Sequence, residues 1–201
     1  MIRGTSEARS RIPKVDGRRM PPPRALREEI ASVLIGPDRL RRRVAQLGAR
    51  ITADLSGREV VVVALLNGTL VFLADLIRRM EFPFRIETLR VSTYSGGTPA
   101  STPRFGDDLP RGIRGRHVLI VDDILDTGRT LAAVTRRLRK CQPASLRTCV
   151  LLDKAIPRAE GIRVDYVGFQ VPNVFIVGYG LDFNERHRNL PFVAELRRGA
   201  G

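Results

Sequence analysis

Apolar residues recur along this 201-residue chain with two different periods, and each change of period marks an element. Leu40, Val44, Leu47, Ile51 and Leu55 follow at spacings of four, three, four and four. That is the stripe of an amphipathic helix, opened by the Gly36-Pro37-Asp38 turn with Asp38 as N-cap and closed by Gly57. Val60–Leu66 is wholly apolar and largely β-branched, as in a strand buried on both faces of a parallel sheet. Helical character returns over 69–80 and strand character over 85–91, and residues 92–115 are rich in Gly, Pro, Ser and Thr. A second apolar strand, 117–121, runs into Asp122-Asp123 and a turn, with a helix following from Arg129 to Lys140. Further strands fit 145–152, 164–168 and 175–177. Strands alternating with helices predict an α/β fold with a mainly parallel twisted sheet, whose ligands bind at the carboxyl ends of the strands.

Composition narrows the class. The longest apolar run meets Asn67 and Gly68 after seven residues, so it is too short for a membrane span. Cys141 and Cys149 cannot build a disulfide framework, and neither has a thiol or histidine at metal-ligand spacing; both read as buried thiols of a cytoplasmic protein. Of the 35 Lys and Arg residues only Lys14, Lys140 and Lys154 are lysine, so the net charge of +14 reads as a compositional bias spread along the chain. Residues 1–23 are Arg-rich, lack aromatics and end in Pro21-Pro22-Pro23, which predicts a disordered basic arm ahead of a single folded domain over 24–201. The apolar core of a secretory signal is missing from the arm, although its composition is also that of an organelle transit peptide.

The segment Val-Leu-Ile-Val-Asp-Asp-Ile-Leu-Asp-Thr-Gly-Arg-Thr, residues 118–130, carries the candidate chemistry. A buried strand delivers two adjacent carboxylates, and Asp126-Thr127-Gly128-Arg129-Thr130 then turns into a helix. Free backbone N–H groups, the Thr127 and Thr130 hydroxyls and the helix dipole favour a phosphate dianion, without the spacing of a Walker A loop. Asp122 and Asp123 read either as a solvated strand end or as binders of a ribose diol, directly or through Mg²⁺. A phosphate site beside a diol site describes a ribose 5-phosphate.

These residues resemble the phosphoribosyl pyrophosphate (PRPP) motif of type I phosphoribosyltransferases, with Asp126 like the purine branch. Leu151-Leu152-Asp153-Lys154, Asp165-Tyr166-Val167-Gly168-Phe169, Val177-Gly178-Tyr179-Gly180-Leu181-Asp182 and Arg188-Asn189-Leu190-Pro191 follow in the order found in hypoxanthine-guanine phosphoribosyltransferases. The resemblance covers about residues 26–196. It implies the type I phosphoribosyltransferase fold with a small hood region, and Mg²⁺-dependent transfer of the phosphoribosyl group of PRPP to N9 of a 6-oxopurine. By the same resemblance Asp122 and Asp123 hold the ribose hydroxyls and metal, and Asp126 accepts the purine N7 proton. Residues 126–130 take the phosphate, with Asn67, Gly68, Thr93, Tyr94 and Arg188 completing the PRPP site. Lys154 donates to the 6-oxo group, Phe175 stacks on the base, Ile176 meets it through its backbone, and Asp182 is a further carboxylate on the metal and purine side.

Bland readings stand beside these roles. Asp126 can be a helix cap, Lys154 a solvated lysine and Phe175 a core residue, and His117 and His187 receive no catalytic role. Asn67 departs from the family, where this position is a lysine. A homodimer or homotetramer is implied, with no membrane partner. An RNA-binding regulator on the same fold and a xanthine-preferring enzyme are the alternatives. The purine-type Asp126 and the lack of aromatics in the arm weigh against specific nucleic-acid binding.

Overall fold

The computed structural model describes residues 12–15, 19–92, 104–105, 110, 112–158, 162–197 and 199. Five parallel strands form the central sheet: β2 (Val60–Leu66), β3 (Arg85–Ser92), β5 (His117–Leu125), β6 (Ser145–Lys154) and β7 (Tyr166–Val171). A two-residue strand, β4 (Arg104–Phe105), pairs antiparallel to β3, giving the order β4-β3-β2-β5-β6-β7. Three antiparallel strands, β1 (Ile30–Ile35), β9 (Val193–Leu196) and β8 (Ile176–Val177), make the separate hood sheet.

Alternation within β2 shows why the sheet needs two covers. Val60, Val62 and Ala64 pack with α1 (Pro37–Leu55) and α2 (Leu70–Ile77), whereas Val61, Val63 and Leu65 pack with α3 (Arg129–Arg139). The crossover through α2 runs from β2 outward to β3, and the one through α3 runs the opposite way, from β5 to β6. Right-handed crossovers in opposite directions must place their helices on opposite faces. The order therefore reverses between β2 and β5, and their carboxyl ends flank the crevice where open α/β sheets bind ligands.

Several elements differ from the expectations. The N-cap of α1 is Gly36, not Asp38; Pro37 occupies the first turn, where its missing N–H costs nothing, and Asp38 pairs with Arg41 at 2.5 Å. The β5 strand runs four residues past Val121 because Asp122, Ile124 and Leu125 stay in register with Val150, Leu152 and Asp153. The acidic pair thus belongs to the strand. The hood strands β1 and β9 carried no periodic signal long enough to be read, and their pairing is non-local.

Two described pieces of the arm, residues 12–15 and 19–23, lie against the folded domain. Lys14 pairs with Gln170 on the outer strand β7, with Val15 N–H donating to the Gln170 carbonyl at 2.9 Å and Gln170 N–H to the Pro13 carbonyl at 3.1 Å. Met20 bridges Val33, and Arg19 meets Glu195 at 2.5 Å. An outer strand offers unpaired backbone groups to whatever chain lies near, and that offer is invisible in the composition of the arm. Arg43 of α1 shields the same strand, donating to the carbonyls of Gly168 at 2.7 Å and Val167 at 2.8 Å. Residues 1–11 and 16–18 of the arm, and Thr93 and Tyr94, lie outside the described residues. Among those described, no helix is long and apolar enough to cross a membrane.

Tyr166 anchors the opposite end of the sheet. Its buried hydroxyl donates to Asp54 at 2.8 Å and accepts from Arg147 at 2.6 Å, while the Arg50 guanidinium lies 5.2 Å from its ring centroid. Burial, reinforced by the Asp54 bond, pushes the phenol above its ordinary pKa. Tyr166→Phe is expected to cost about 1–2 kcal/mol and lower the melting temperature by about 2–8 °C, with activity retained; thermal melts beside an activity assay check this.

Candidate active site

Parallel register gathers the site from strands distant in sequence. Leu125 of β5 lies opposite Asp153 of β6, so the residues just beyond this pair, Asp126 and Lys154, leave adjacent strands at the same edge. Their side chains form an ion pair, with Lys154 Nζ 2.7 Å from Asp126 Oδ2. Lys154 is only 12% exposed, so it is not a solvated surface lysine, and Asp126 is not the helix cap. That position belongs to Gly128, at φ +80°, and no side chain caps α3. A β-carbon on Gly128 would lie 2.2 Å from the Ile162 methyl, so both the backbone angle and the space require glycine. The first turn of α3 is left open to an anion, with Thr127 and Arg129 exposed and Thr130 half-buried beside it.

The acidic pair closes the neighbouring side. Asp122 is buried, and its Oδ1 accepts from Thr69 Oγ1 at 3.4 Å and from the Asp123 N–H at 3.1 Å; Asp123 Oδ1 accepts from the Ile124 N–H at 2.8 Å. Burial, together with the Asp123 carboxylate, holds Asp122 well above the usual carboxylate range. Burial also raises Asp123, opposed in part by hydrogen bonds and by the charge of Arg188.

Gly68 fits between two other parts of this wall. A β-carbon there would come 1.8 Å from Asp123 Oδ2, and one on Gly180 would come 2.1 Å from the Gly68 carbonyl oxygen. The loop after β2, the end of β5 and the segment leading from the hood therefore touch at a position with no room for a side chain. The Leu66–Asn67 peptide is cis, and Asn67 itself is exposed. From the hood segment, Arg188 donates to the Gly180 carbonyl at 2.8 Å and pairs with Asp182 at 2.8 Å, while the other oxygen of Asp182 accepts from the Glu185 N–H.

Phe175 is 51% exposed, which removes the core reading; its ring sits edge-on to Phe183 at 5.3 Å. Ile176 is buried in β8. His187 is paired with Glu29 at 3.0 Å, away from any catalytic assignment. Sequence reading missed Thr69, fully buried against Asp122, and Arg158, whose guanidinium bonds to the Asp126 carbonyl at 2.7 Å and Asp153 at 2.6 Å. Among 32 arginines no residue-type signal distinguishes Arg158.

An uncapped helix N-terminus, a carboxylate pair at the end of β5 and an Asp–Lys ion pair beside it, on a parallel sheet under a hood, belong to the type I phosphoribosyltransferase fold class. A profile of the phosphoribosyl transferase domain matches residues 36–184, and the chain belongs to that family. Within the family it lies with the hypoxanthine and hypoxanthine-guanine phosphoribosyltransferases. It is 41% identical over 175 residues to the hypoxanthine phosphoribosyltransferase of Haemophilus influenzae, covering 85% of this chain and 98% of the relative. The hypoxanthine-guanine phosphoribosyltransferase of Streptococcus pneumoniae is 38% identical over 86% of this chain and 96% of its own. The crystal structure of the Staphylococcus aureus hypoxanthine phosphoribosyltransferase superposes with a TM-score of 0.81 at 37% identity, over 86% of this chain and 95% of that one.

The raised pKa of Asp122 has a thermodynamic consequence. Folding makes Asp122 hold its proton more tightly than the unfolded chain does, so a burial penalty acts above the native pKa and disappears below the ordinary one near about 3.9. Asp122→Asn is expected to raise the melting temperature of the ligand-free protein by about 2–4 °C for each ~1 kcal/mol of penalty removed at neutral pH. The gain shrinks as the pH falls toward about 4. Thermal melts across pH read the difference.

Proposed function

We propose that this protein is a cytoplasmic purine-salvage enzyme that transfers the 5-phosphoribosyl group of PRPP to N9 of hypoxanthine or guanine, releasing pyrophosphate and forming IMP or GMP. The observation that carries this reading is the Asp126–Lys154 pair at 2.7 Å, one turn of chain before the open N-terminus of α3. A donor and an acceptor side by side suit the neighbouring 6-oxo and N7–H groups on one edge of a 6-oxopurine once the direct contact opens. The ammonium has only donors, so it suits a 6-keto base and disfavours the 6-amino group of adenine.

In this mechanism the 5-phosphate sits at the start of α3, against the backbone N–H groups and the hydroxyls of Thr127 and Thr130. Asp122 and Asp123 hold the ribose hydroxyls, and the Asn67-Gly68 backbone and Arg188 hold the pyrophosphate. Incoming purine displaces the direct Asp126–Lys154 contact: Lys154 turns to the 6-oxo oxygen and Asp126 accepts the N7 proton. Phe175, exposed on the hood, supplies a face for stacking. The N9 lone pair then forms the bond to ribose C1′ as the C1′–oxygen bond breaks, and that electron pair leaves with pyrophosphate. Orientation and charge stabilisation carry the rate, so no protein nucleophile is required.

The donor set suits Mg²⁺. Asp122 and Asp123 offer hard oxygens whose buried negative charge is poorly compensated, and among the described residues no three His, Cys, Asp or Glu side chains form a closed cage. An ion of this type is commonly held by one or two carboxylates together with substrate phosphates. Asp122 and Asp123 would hold it, with Asp182 joining on release from Arg188, and it would offset charge on the departing pyrophosphate. We assign the working form to a homodimer or homotetramer, with no specific nucleic-acid partner.

A spectrophotometric assay with PRPP and Mg²⁺ against hypoxanthine, guanine, xanthine, adenine and uracil tests the reading. Turnover of hypoxanthine or guanine, lost with EDTA, is the expected result. Activity with none of the bases despite PRPP binding overturns it in favour of an RNA-binding regulator. Asp126→Asn is expected to lower kcat by about 10²- to 10⁴-fold while PRPP affinity changes little, because the variant keeps size but loses the proton acceptor. Steady-state kinetics beside a PRPP binding isotherm separate the two.

A further inference from the structure

Arg158 follows Lys154 by four residues, and its side chain folds back against the ends of β5 and β6, where the Asp126–Lys154 pair sits. Its Nε donates to the Asp126 carbonyl at 2.7 Å. Its Nη2 donates to the Leu125 carbonyl at 3.0 Å, to Asp153 Oδ1 at 2.6 Å and to the Lys154 carbonyl. The guanidinium is 19% exposed and Asp153 is 17% exposed, so this is a largely buried, charge-paired fork and not a surface contact. Two of its acceptors are the backbone carbonyls of the residues that face the purine. The other two belong to Leu125 and Asp153, the last pair in register between β5 and β6.

Beyond that pair the strands part: Asp126 enters the phosphate loop, while Lys154 stays in register with Val171 of β7. The Asp126–Lys154 ion pair also ties the start of the phosphate loop to the end of β6. On the reaction proposed above, that tie is exchanged for bonds to the base at the moment when the separation of the two groups matters most. The bonds of Arg158 go to backbone carbonyls and to Asp153, none of which the purine needs, so they survive the exchange.

We propose that Arg158 is a positioning residue for purine recognition, setting the distance between the Lys154 ammonium and the Asp126 carboxylate when both meet the 6-oxo and N7 edge of the base. This inference rests on the proposed phosphoribosyl transfer to a 6-oxopurine. It predicts an effect that falls mainly on the purine half of the reaction, because Asp153 and the Lys154 carbonyl belong to the strand that carries the purine-reading ammonium, while the Asp122–Asp123 pair has contacts of its own. Lysine cannot replace the fork, since a single ammonium lacks the planar array that reaches both loops at once.

The test compares wild type, Arg158→Lys and the milder Asp153→Asn, which keeps an acceptor but removes the charge opposite the guanidinium. Each is assayed for kcat and for the KM of hypoxanthine, with PRPP affinity measured separately by equilibrium binding in the absence of purine. For Arg158→Lys, kcat/KM for hypoxanthine is expected to fall about 10- to 100-fold, as for a misplacement of about 1 Å, while PRPP affinity stays within about twofold. Asp153→Asn is expected to change the same parameters in the same direction by less, and it decides the matter if the lysine variant does not fold. Parallel losses of PRPP and purine affinity, or restoration of full kcat/KM by lysine, overturn the positioning role. Wild-type protein that turns over none of the bases overturns the functional reading and this inference together. Active wild type with unaltered variants overturns the inference alone.

Discussion

Burying two adjacent carboxylates at the end of a central strand is the costly act around which this molecule is arranged. Asp122 and Asp123 lie on β5, flanked on one side by β2 and on the other by β6, and burial shifts both toward protonation. Few partners relieve them: the Thr69 hydroxyl, local backbone N–H groups and the more distant charge of Arg188. A folded chain that retains such a pair gives up stability at a place that hydroxyl donors or cationic charge would relieve. Removing one charge should therefore stabilise the empty protein and damage the working one, the trade-off common to binding sites.

The hood segment is fastened at the same crevice. Gly180 leaves no space for a β-carbon against Gly68, Arg188 closes back on the Gly180 carbonyl, and the hydroxyl of Tyr179 bonds to Asp75 on α2. Asp75 in turn pairs with Arg78. Phe175 and Ile176 thus stand at a sheet whose connection to the core runs past the contact of Gly180 with Gly68.

Cations divide into two kinds by what they face. Arg43 and Arg158 satisfy backbone carbonyls and Arg147 a half-buried carboxylate and phenol, whereas Arg41 and Arg78 make exposed pairs with the residue three positions before them. The exposed pairs are worth little. Composition counts these arginines alike, which is why Arg158 could not be singled out in the sequence while Lys154, one of three lysines, could.

Local pattern alone specified most of the central domain, because β2, β3, α1 and α3 each carry the period of their own element, and the run from Val118 to Thr130 requires its chemistry within one strand and turn. It also made Asp122, Asp123, Asp126 and Lys154 legible as candidate site residues, which the fold brings to one edge of the sheet. Tertiary structure decided what depends on partners far along the chain. Such features are the antiparallel hood, whose strands β1 and β9 pair Ile30 with Leu196, the bridge of Lys14 to Gln170, and the continuation of β5 through its acidic pair. Periodicity reports which face of an element is buried. It is silent on which distant backbone will complete a strand, or which carbonyls a buried guanidinium will hold, since those are set only when the strands lie side by side.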